Sequence, residues 1–245
     1  MGPELIYLLA GATAGGFING LAGFGTSLFA LGWWLQIMPP IQAVALSLVM
    51  SVLSGLQGVW VVRRSISWPR LSPFLIPALL GIPIGLMVLQ WVDARLLKLV
   101  VASFLLLFAG YFIVRRNLPS IERPTPFVDM GTGFLGGILG AIAGLSGALP
   151  TMWTTLKPWT KEIRRAVLQP YNVAVLGIAA TALAIGGAYD REALIRIAIA
   201  FPATMVASQI GIWAFKRLTD AQFRWLIVML MFTSGAVLMI RELAA

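Results

Sequence analysis

Residues 128–156 read VDMGTGFLGGILGAIAGLSGALPTMWTTL, an apolar stretch interrupted at Gly144 and Gly147 with Pro150 just beyond. Crossing about 30 Å of hydrocarbon takes roughly 20 apolar residues. After the break only about ten residues remain before Lys157, and at 1.5 Å per residue they reach roughly 15 Å, half a membrane. Residues 5–37 repeat the anomaly. They are too long for one ordinary helix and are interrupted at Gly20, Gly23 and Gly25. Both stretches are expected to be broken helices, or helical hairpins with tips at membrane depth.

Working outward, further apolar segments lie at 41–62, 71–92, 95–114, 166–187, 193–215 and 222–241. The composition agrees with a chain made of such segments. Its 245 residues are 59% hydrophobic and 11% charged, where a soluble domain carries about 25% charge. The mean hydropathy is +0.90. Most side chains must therefore face lipid or one another, and the expected fold class is all-α, a polytopic integral membrane protein. The first apolar run begins after Glu4, without a basic segment before it or a clear cleavage site after it. It reads as a retained segment, not a signal peptide.

The net charge is +9 and the pI near 10.9. The basic residues sit in short clusters between apolar stretches: Arg63-Arg64, Arg115-Arg116, Arg164-Arg165 and Lys216-Arg217. That is the distribution of cytoplasmic membrane loops, and it argues against nucleic acid as a partner. If 128–156 crossed once, the basic loop Lys157–Arg165 would lie opposite the basic linker Arg115–Arg123. If it enters and returns, both lie inside, together with the loops 63–70 and 216–224. The loops 38–40 and 188–192 then fall outside, the first with no basic residue and the second with Arg191 offset by acids. Each half becomes one hairpin plus three transmembrane helices. The halves have opposite orientation, and both termini lie outside the cytoplasm. Two inverted repeats with broken helices are a transporter architecture with its site near the midplane.

A duplication is also legible directly. Gly16-Phe17-Ile18-Asn19-Gly20-Leu21-Ala22-Gly23 aligns with Gly140-Ala141-Ile142-Ala143-Gly144-Leu145-Ser146-Gly147, identical at five of eight positions. Ala43-Val44 then aligns with Ala166-Val167, and Asp93-Ala94 with Asp220-Ala221, at nearly the same offset. The expected organisation is a first membrane repeat over 1–115, a cytoplasmic linker over 116–127 and a second membrane repeat over 128–245, forming one transport unit.

The chain has no Cys and no His. Thiolate metal sites, Cys nucleophiles and His acid–base chemistry are excluded, and no catalytic residue, metal or cofactor is expected. An enzyme would need clustered acids or nucleophiles in the spans, and the sequence has none. The Gly-rich breaks are the informative feature. At a hairpin tip, the returning half-helix presents free N–H groups and the positive end of its dipole. Thr26 and Ser27 are placed to cap one such N-terminus, and Ser146 and Thr151 flank the other. Two tips meeting at the centre make an anion site without a charged side chain. The candidate substrate-binding residues are Asn19, Gly23, Gly25, Thr26, Ser27, Ser47, Ser146, Gly147, Thr151, Gln169 and Asn172. Ser47, Ser51 and Ser54 share one helix face. The competing reading is helix packing through small residues, since Gly16-x-x-x-Gly20 and Gly140-x-x-x-Gly144 are also packing motifs, with the polar residues bonding between helices. No charged residue falls mid-span, which argues against a side-chain proton relay. Lys157, Arg164 and Arg165 read as residues of the cytoplasmic mouth. Most Trp residues lie near span ends, as an interfacial belt would have them; Trp153, after the second break, is the exception.

At these residues the chain resembles the sulfite exporter TauE/SafE family of membrane permeases. Gly16 through Gly25 looks like the family's N-terminal Gly-rich element, Ala43-Val44-Ala45-Leu46-Ser47-Leu48 like the element that follows, and Gly140–Pro150 like the repeated Gly-rich element. The resemblance covers essentially the whole chain. It departs from the usual Gly-Gly-Gly run at Gly25-Thr26-Ser27 and at Leu145-Ser146-Gly147. It implies transport of sulfite, a sulfonate such as sulfoacetate, or a related sulfur-containing or carboxylate anion across the bacterial inner membrane. A channel-like protein or a carrier of another small anion, and a membrane assembly factor, are the alternatives. The expected partners are the anion and the lipid bilayer; a homo-oligomer is compatible with the sequence.

Overall fold

The computed structural model describes residues 2–114 and 121–244, all of whose regular structure is helical. Arg115, Arg116 and Pro119 of the expected linker lie outside the described residues.

Both long apolar stretches break at their glycines. Helix α1 (Gly2–Ala22) stops before Gly23, at φ 82°, and α2 (Thr26–Trp34) starts after Gly25, at φ 96°. Helix α6 (Pro126–Ala143) stops before Gly144, at φ 66°, and α7 (Ala148–Thr154) starts after Gly147. Left-handed backbone of this kind is open to glycine and costly for a residue with a Cβ. In both places the chain then turns back on itself. Trp34 Nε1 donates to the Leu8 carbonyl at 3.0 Å, and Gly15 lies against Thr26 and Ala30. In the second hairpin Lys157 pairs with Asp129 at 2.7 Å, Trp153 Nε1 donates to the same carboxylate, and Gly136 lies against Ser146 and Pro150. Both stretches are helical hairpins, each broken at its glycines.

The remaining long helices are α3 (Pro40–Val62), α4 (Trp68–Leu89), α5 (Ala94–Val114), α8 (Lys161–Ile185), α9 (Arg191–Arg217) and α10 (Asp220–Ala244), with a 3-10 turn at Arg63–Ser65. Among the described residues six helices, α1, α3, α4, α6, α8 and α9, are long and apolar enough to cross a bilayer. The protein is a multi-pass membrane protein. Proline starts α3 and α6, where no intrahelical N–H is needed. It also lies inside α4 at Pro73, Pro77 and Pro83 and inside α8 at Pro170, as membrane helices tolerate when neighbours satisfy the freed carbonyls.

Each hairpin is clasped by a helix from the other half. Helix α1 packs along α9, as α6 packs along α4; α3 lies on α9, as α8 lies on α4; α3 meets α8 and α5 meets α10. Exchanging the halves leaves this pattern of pairings unchanged. Small residues set the closeness of the two clasps, in place of a hydrophobic driving force that lipid cannot supply. A Cβ at Gly20 would lie 2.0 Å from the Ser208 carbonyl oxygen, and one at Gly137 would lie 2.3 Å from that of Ala78.

One point of register differs from the sequence alignment. That alignment set Gly20 against Gly144, yet Gly20 lies inside α1 and Gly23 takes the helix-ending place. The closures differ. Helix α6 ends with Leu145 N–H on Leu139 O (3.1 Å) and Gly144 N–H on Gly140 O (2.8 Å), whereas α1 has Gly23 N–H on Asn19 O (2.8 Å). The paired closure satisfies more of the orphan carbonyls that end a helix.

The two ends of the bundle differ in charge. At one end the 3-10 turn packs on α8, Ile121 N–H reaches Leu156 O at 2.8 Å and Arg70 lies over the Trp159 ring. Arg63, Arg64, Arg70, Arg123, Lys157 and Arg164 gather there. At the other end Gln42 bonds Asp190, Arg196 pairs with Glu192, and Lys98 pairs with Glu242. Tyr189 donates to the Ala45 carbonyl there, and burial pushes its phenol up to about 12, so it stays a donor at ordinary pH.

Candidate functional site

The tips of the two hairpins touch in the interior. A Cβ at Gly144 would fall 1.9 Å from Ser27 Oγ, and one at Gly147 would meet Phe24 Cβ and the Asn172 amide at 2.8 Å. Between the tips lies a small cavity of about 10 Å³ of water-accessible volume, room for roughly one water. Asn19, Gly25, Ser146, Gly147, Gln169 and Asn172 line it. Gly23 adjoins it through Gln169 and through Asn172, whose Nδ2 donates to the Gly23 carbonyl at 3.1 Å. Six of the eleven expected site residues thus line one cavity. Ser27 and Ser47 are buried beside it and bond to each other at 3.0 Å. Thr26 and Thr151 are also buried, each with a hydroxyl that has no partner.

Three expectations change in detail. First, neither Thr26 nor Ser27 caps α2. Gly25 is the N-cap residue and no side chain caps this end. Ser27 Oγ instead donates to Ser47. The first turn of α2 therefore keeps its backbone donors without side-chain competition. Second, the tip of α7 is poorer in donors. Ala148 N–H is taken by Leu145 O at 3.1 Å, and Pro150 has no N–H to give. Third, the serines of α3 direct their hydroxyl hydrogens to their own helix: Ser47 to Val44 O, Ser51 to Ser47 O and Ser54 to Met50 O. Such back-bonding leaves them acceptors.

The amides are the versatile groups. Each side-chain NH₂ holds two donors. Asn19 commits its Nδ2 to Ser51 O and Ser54 Oγ. Gln169 bonds Gly55 O at 3.2 Å and Asn172 bonds Gly23 O, so each keeps one N–H uncommitted. Asn172 also accepts from Ser146 Oγ at 2.7 Å and so joins the two hairpins. The cavity has donor-bearing neutral walls, no carboxylate among its lining residues, and α2's first turn at one edge. Neutral donors and a helix N-terminus are groups able to bind a small anion.

The chain matches the family described as Sulfite exporter TauE/SafE over residues 7–238. It belongs to the TauE/SafE family. This is a family of transporters, and the match spans both hairpins and every long helix. Neither the curated proteins nor the solved structures include a match to this chain.

Within this TauE/SafE chain the structure adds residues that the sequence reading passed over. Ser51, Phe24, Leu28, Gly55, Leu145 and Val173 line the cavity. Ser51 had a signal, since it shares a helix face with Ser47 and Ser54. The larger surprise is Arg165. Read as a residue of the cytoplasmic mouth, it is buried at 4% exposure inside the bundle. Its guanidinium donates to Gly20 O at 2.8 Å and Leu21 O at 3.5 Å, and lies over the Phe215 ring at 4.3 Å. It binds the carbonyls that α1's closure leaves open. A cation at a helix C-terminus also offsets the negative end of the dipole. Asp129 is likewise buried within α6 and paired with Lys157. Arg165 and Asp129 both stand in the opening turns of their helices, not mid-span, and no charged residue lines the cavity.

Proposed function

We propose that this protein carries a small sulfur-containing anion across the membrane, sulfite or an organosulfonate such as sulfoacetate, and that the anion binds between the two hairpin tips. One observation carries the reading: two helical hairpins, each clasped by the opposite half, converge on a cavity walled by neutral donors. An anion moved into hydrocarbon must replace its hydration. The first-turn N–H groups of α2 and the spare N–H of Gln169 and Asn172 can do so. A hydrogen bond to a charged group is worth about 1.5–3 kcal/mol, and a helix N-terminus adds about 0.3–2 kcal/mol. Donors of this strength hold an anion and still release it.

The cavity's size favours a carrier over an open pore. It admits about one water, so an oxyanion enters only when the tips part. The symmetry of the helix pairings supports an inverted repeat, and the basic end supports a cytoplasmic orientation for that face of an inner-membrane exporter.

The test is uptake and efflux in proteoliposomes with sulfite, sulfoacetate, thiosulfate and oxalate. Saturable flux of sulfite or sulfoacetate that is lost in Gly147→Val is the expected result. Flux of oxalate alone would move the substrate class to carboxylates. No saturable flux of any of the four would sink the reading.

A further inference from the structure

Between the cavity and the basic end of the bundle, α8 places two polar side chains one turn apart, Gln169 and then Arg165. Gln169 is buried at 1% exposure and its amide is wedged between two glycines. A Cβ at Gly23 would lie 2.6 Å from Gln169 Oε1, and one at Gly58 would lie 2.5–2.7 Å from the amide atoms. Gly23 belongs to the tip of the first hairpin and Gly58 to the last turns of α3 before the basic turn. The amide therefore fills the gap among the hairpin tip, α3 and α8. Its Oε1 has no hydrogen-bond partner. Arg165, one turn nearer the basic end, has a partnerless Nε, and its Cγ would lie 3.6 Å from a Gly23 Cβ. A buried acceptor and a buried donor thus stand unpaired on successive turns of one helix, beside one glycine. Buried polar groups without partners are uncommon and costly, and here both belong to side chains placed between the cavity and the basic end.

We infer that Gln169 and Arg165 form a charge-selecting gate between the cavity and the basic end: Gln169 blocks the route, and Arg165 behind it sets a preference for anions. This rests on the reading that the anion binds at the hairpin tips. Gly23 and Gly58 are bare because any side chain there would displace the amide. When Gln169 swings away, its Oε1 and the Arg165 Nε–H, both unpaired in the closed arrangement, can bond each other. The guanidinium is then the first full charge an anion leaving the cavity meets. The anchoring of Arg165 on Gly20 and Leu21 ties the gate to the hairpin tip, so motion of the tip and opening of the gate are one event. Arg165 acts here as a positioning and selecting residue and makes no contact with the anion in the closed cavity.

The chain is free of cysteine, so a single Ser51→Cys reports on the cavity it lines. In inside-out vesicles, two membrane-impermeant thiol reagents are compared, one bearing a sulfonate and one a quaternary ammonium. With Gln169 in place, both should label slowly. Gln169→Ala should raise labelling about tenfold or more, with the sulfonate reagent favoured. Adding Arg165→Gln should abolish that preference, and Arg165→Lys should keep it, which a merely structural role would not produce. Labelling unchanged by Gln169→Ala overturns the gate. A reagent preference indifferent to Arg165→Gln overturns the selector. Protection of the thiol by added sulfoacetate, which does not react with thiol reagents, tests the binding site separately: protection without gating refutes only the gate, and gating without protection refutes only the site.

Discussion

The side-chain amide of Asn172, midway along α8, donates to the backbone carbonyl of Gly23 at 3.1 Å and so fixes the turn that ends α1. The same amide's oxygen accepts from Ser146, in the opposite hairpin, at 2.7 Å. One side chain therefore keeps both tips in register. Asn172→Ala strands the Gly23 carbonyl and the Ser146 hydroxyl, and each buried group left unpaired costs about 1–3 kcal/mol. Asn172→Asp keeps the acceptor for Ser146 but faces the Gly23 carbonyl with a carboxylate oxygen, and adds a charge that repels the substrate. The expected order of flux is parent, then Asn172→Ala, then Asn172→Asp. Thermal unfolding in detergent should put Asn172→Ala below the parent. Flux through Asn172→Asp equal to the parent would show that this amide does not serve the site.

The clasp between α1 and α9 makes a sharper steric prediction. Gly20→Ala puts a methyl group 2.0 Å from the Ser208 carbonyl oxygen, and that neighbour is backbone. The helices must separate, a cost of about 1–3 kcal/mol for overpacking of this kind. Gly131→Ala, in α6, meets nothing within 4 Å. In an exposed helix that exchange is neutral or stabilising by up to about 1 kcal/mol. Unfolding temperature should fall for the first variant and hold or rise for the second. An equal fall in both would mean that α1 and α9 do not approach this closely.

Much of this fold is legible in the sequence because membranes constrain it so tightly. The length after Gly147 is too short for a crossing, and the positive-inside rule applied to Arg115, Lys157 and Arg164 predicts a return to the same side. Those two facts give the hairpin at 128–156 without any packing information. The site was legible where glycine and amide residues mark it, as at Gly25, Gly147, Gln169 and Asn172. What the sequence hides is which hydrogen bonds are already committed. Ser47 reads as a donor lining a cavity, yet its hydroxyl hydrogen goes to Val44 O within its own helix. Arg165 reads as a loop cation because it adjoins Arg164, four residues into α8. Only the three-dimensional meeting of α8 with the end of α1 reveals the carbonyls it binds.

Topology is testable without any transport assay. The hairpin of α1 and α2 turns back on itself, and the positive-inside rule predicts that the basic end faces the cytoplasm. Reporter fusions at residue 245 should then behave as periplasmic, and fusions in the 63–67 turn as cytoplasmic. The reverse pair of results would invert the whole bundle and reassign the Gln169–Arg165 end to the outer face.

The pair Asp129–Lys157 decides whether a carboxylate takes part in transport. It closes the second hairpin at 2.7 Å, with side chains 11% exposed on both partners. The carboxylate also accepts from Trp153, while Lys157 lies over the rings of Phe74, Trp153 and Trp159 at 5.0–5.8 Å. This is a fastener for the hairpin, made by residues outside the cavity lining. Removing one partner of a buried pair strands the other charge and costs about 3–5 kcal/mol, whereas replacing both with neutral groups of similar volume is often nearly neutral. Asp129→Asn alone should therefore lower the unfolding temperature and the flux together. Asp129→Asn combined with Lys157→Met should restore both, because the new amide still accepts from Trp153 and the apolar side chain suits the aromatic surroundings. A proton relay through Asp129 makes the opposite forecast: the double variant would regain its stability and stay inactive. Flux measured at matched unfolding temperature separates the two, and recovery of flux in the double variant leaves the neutral walls of the cavity to carry the anion without a titrating side chain.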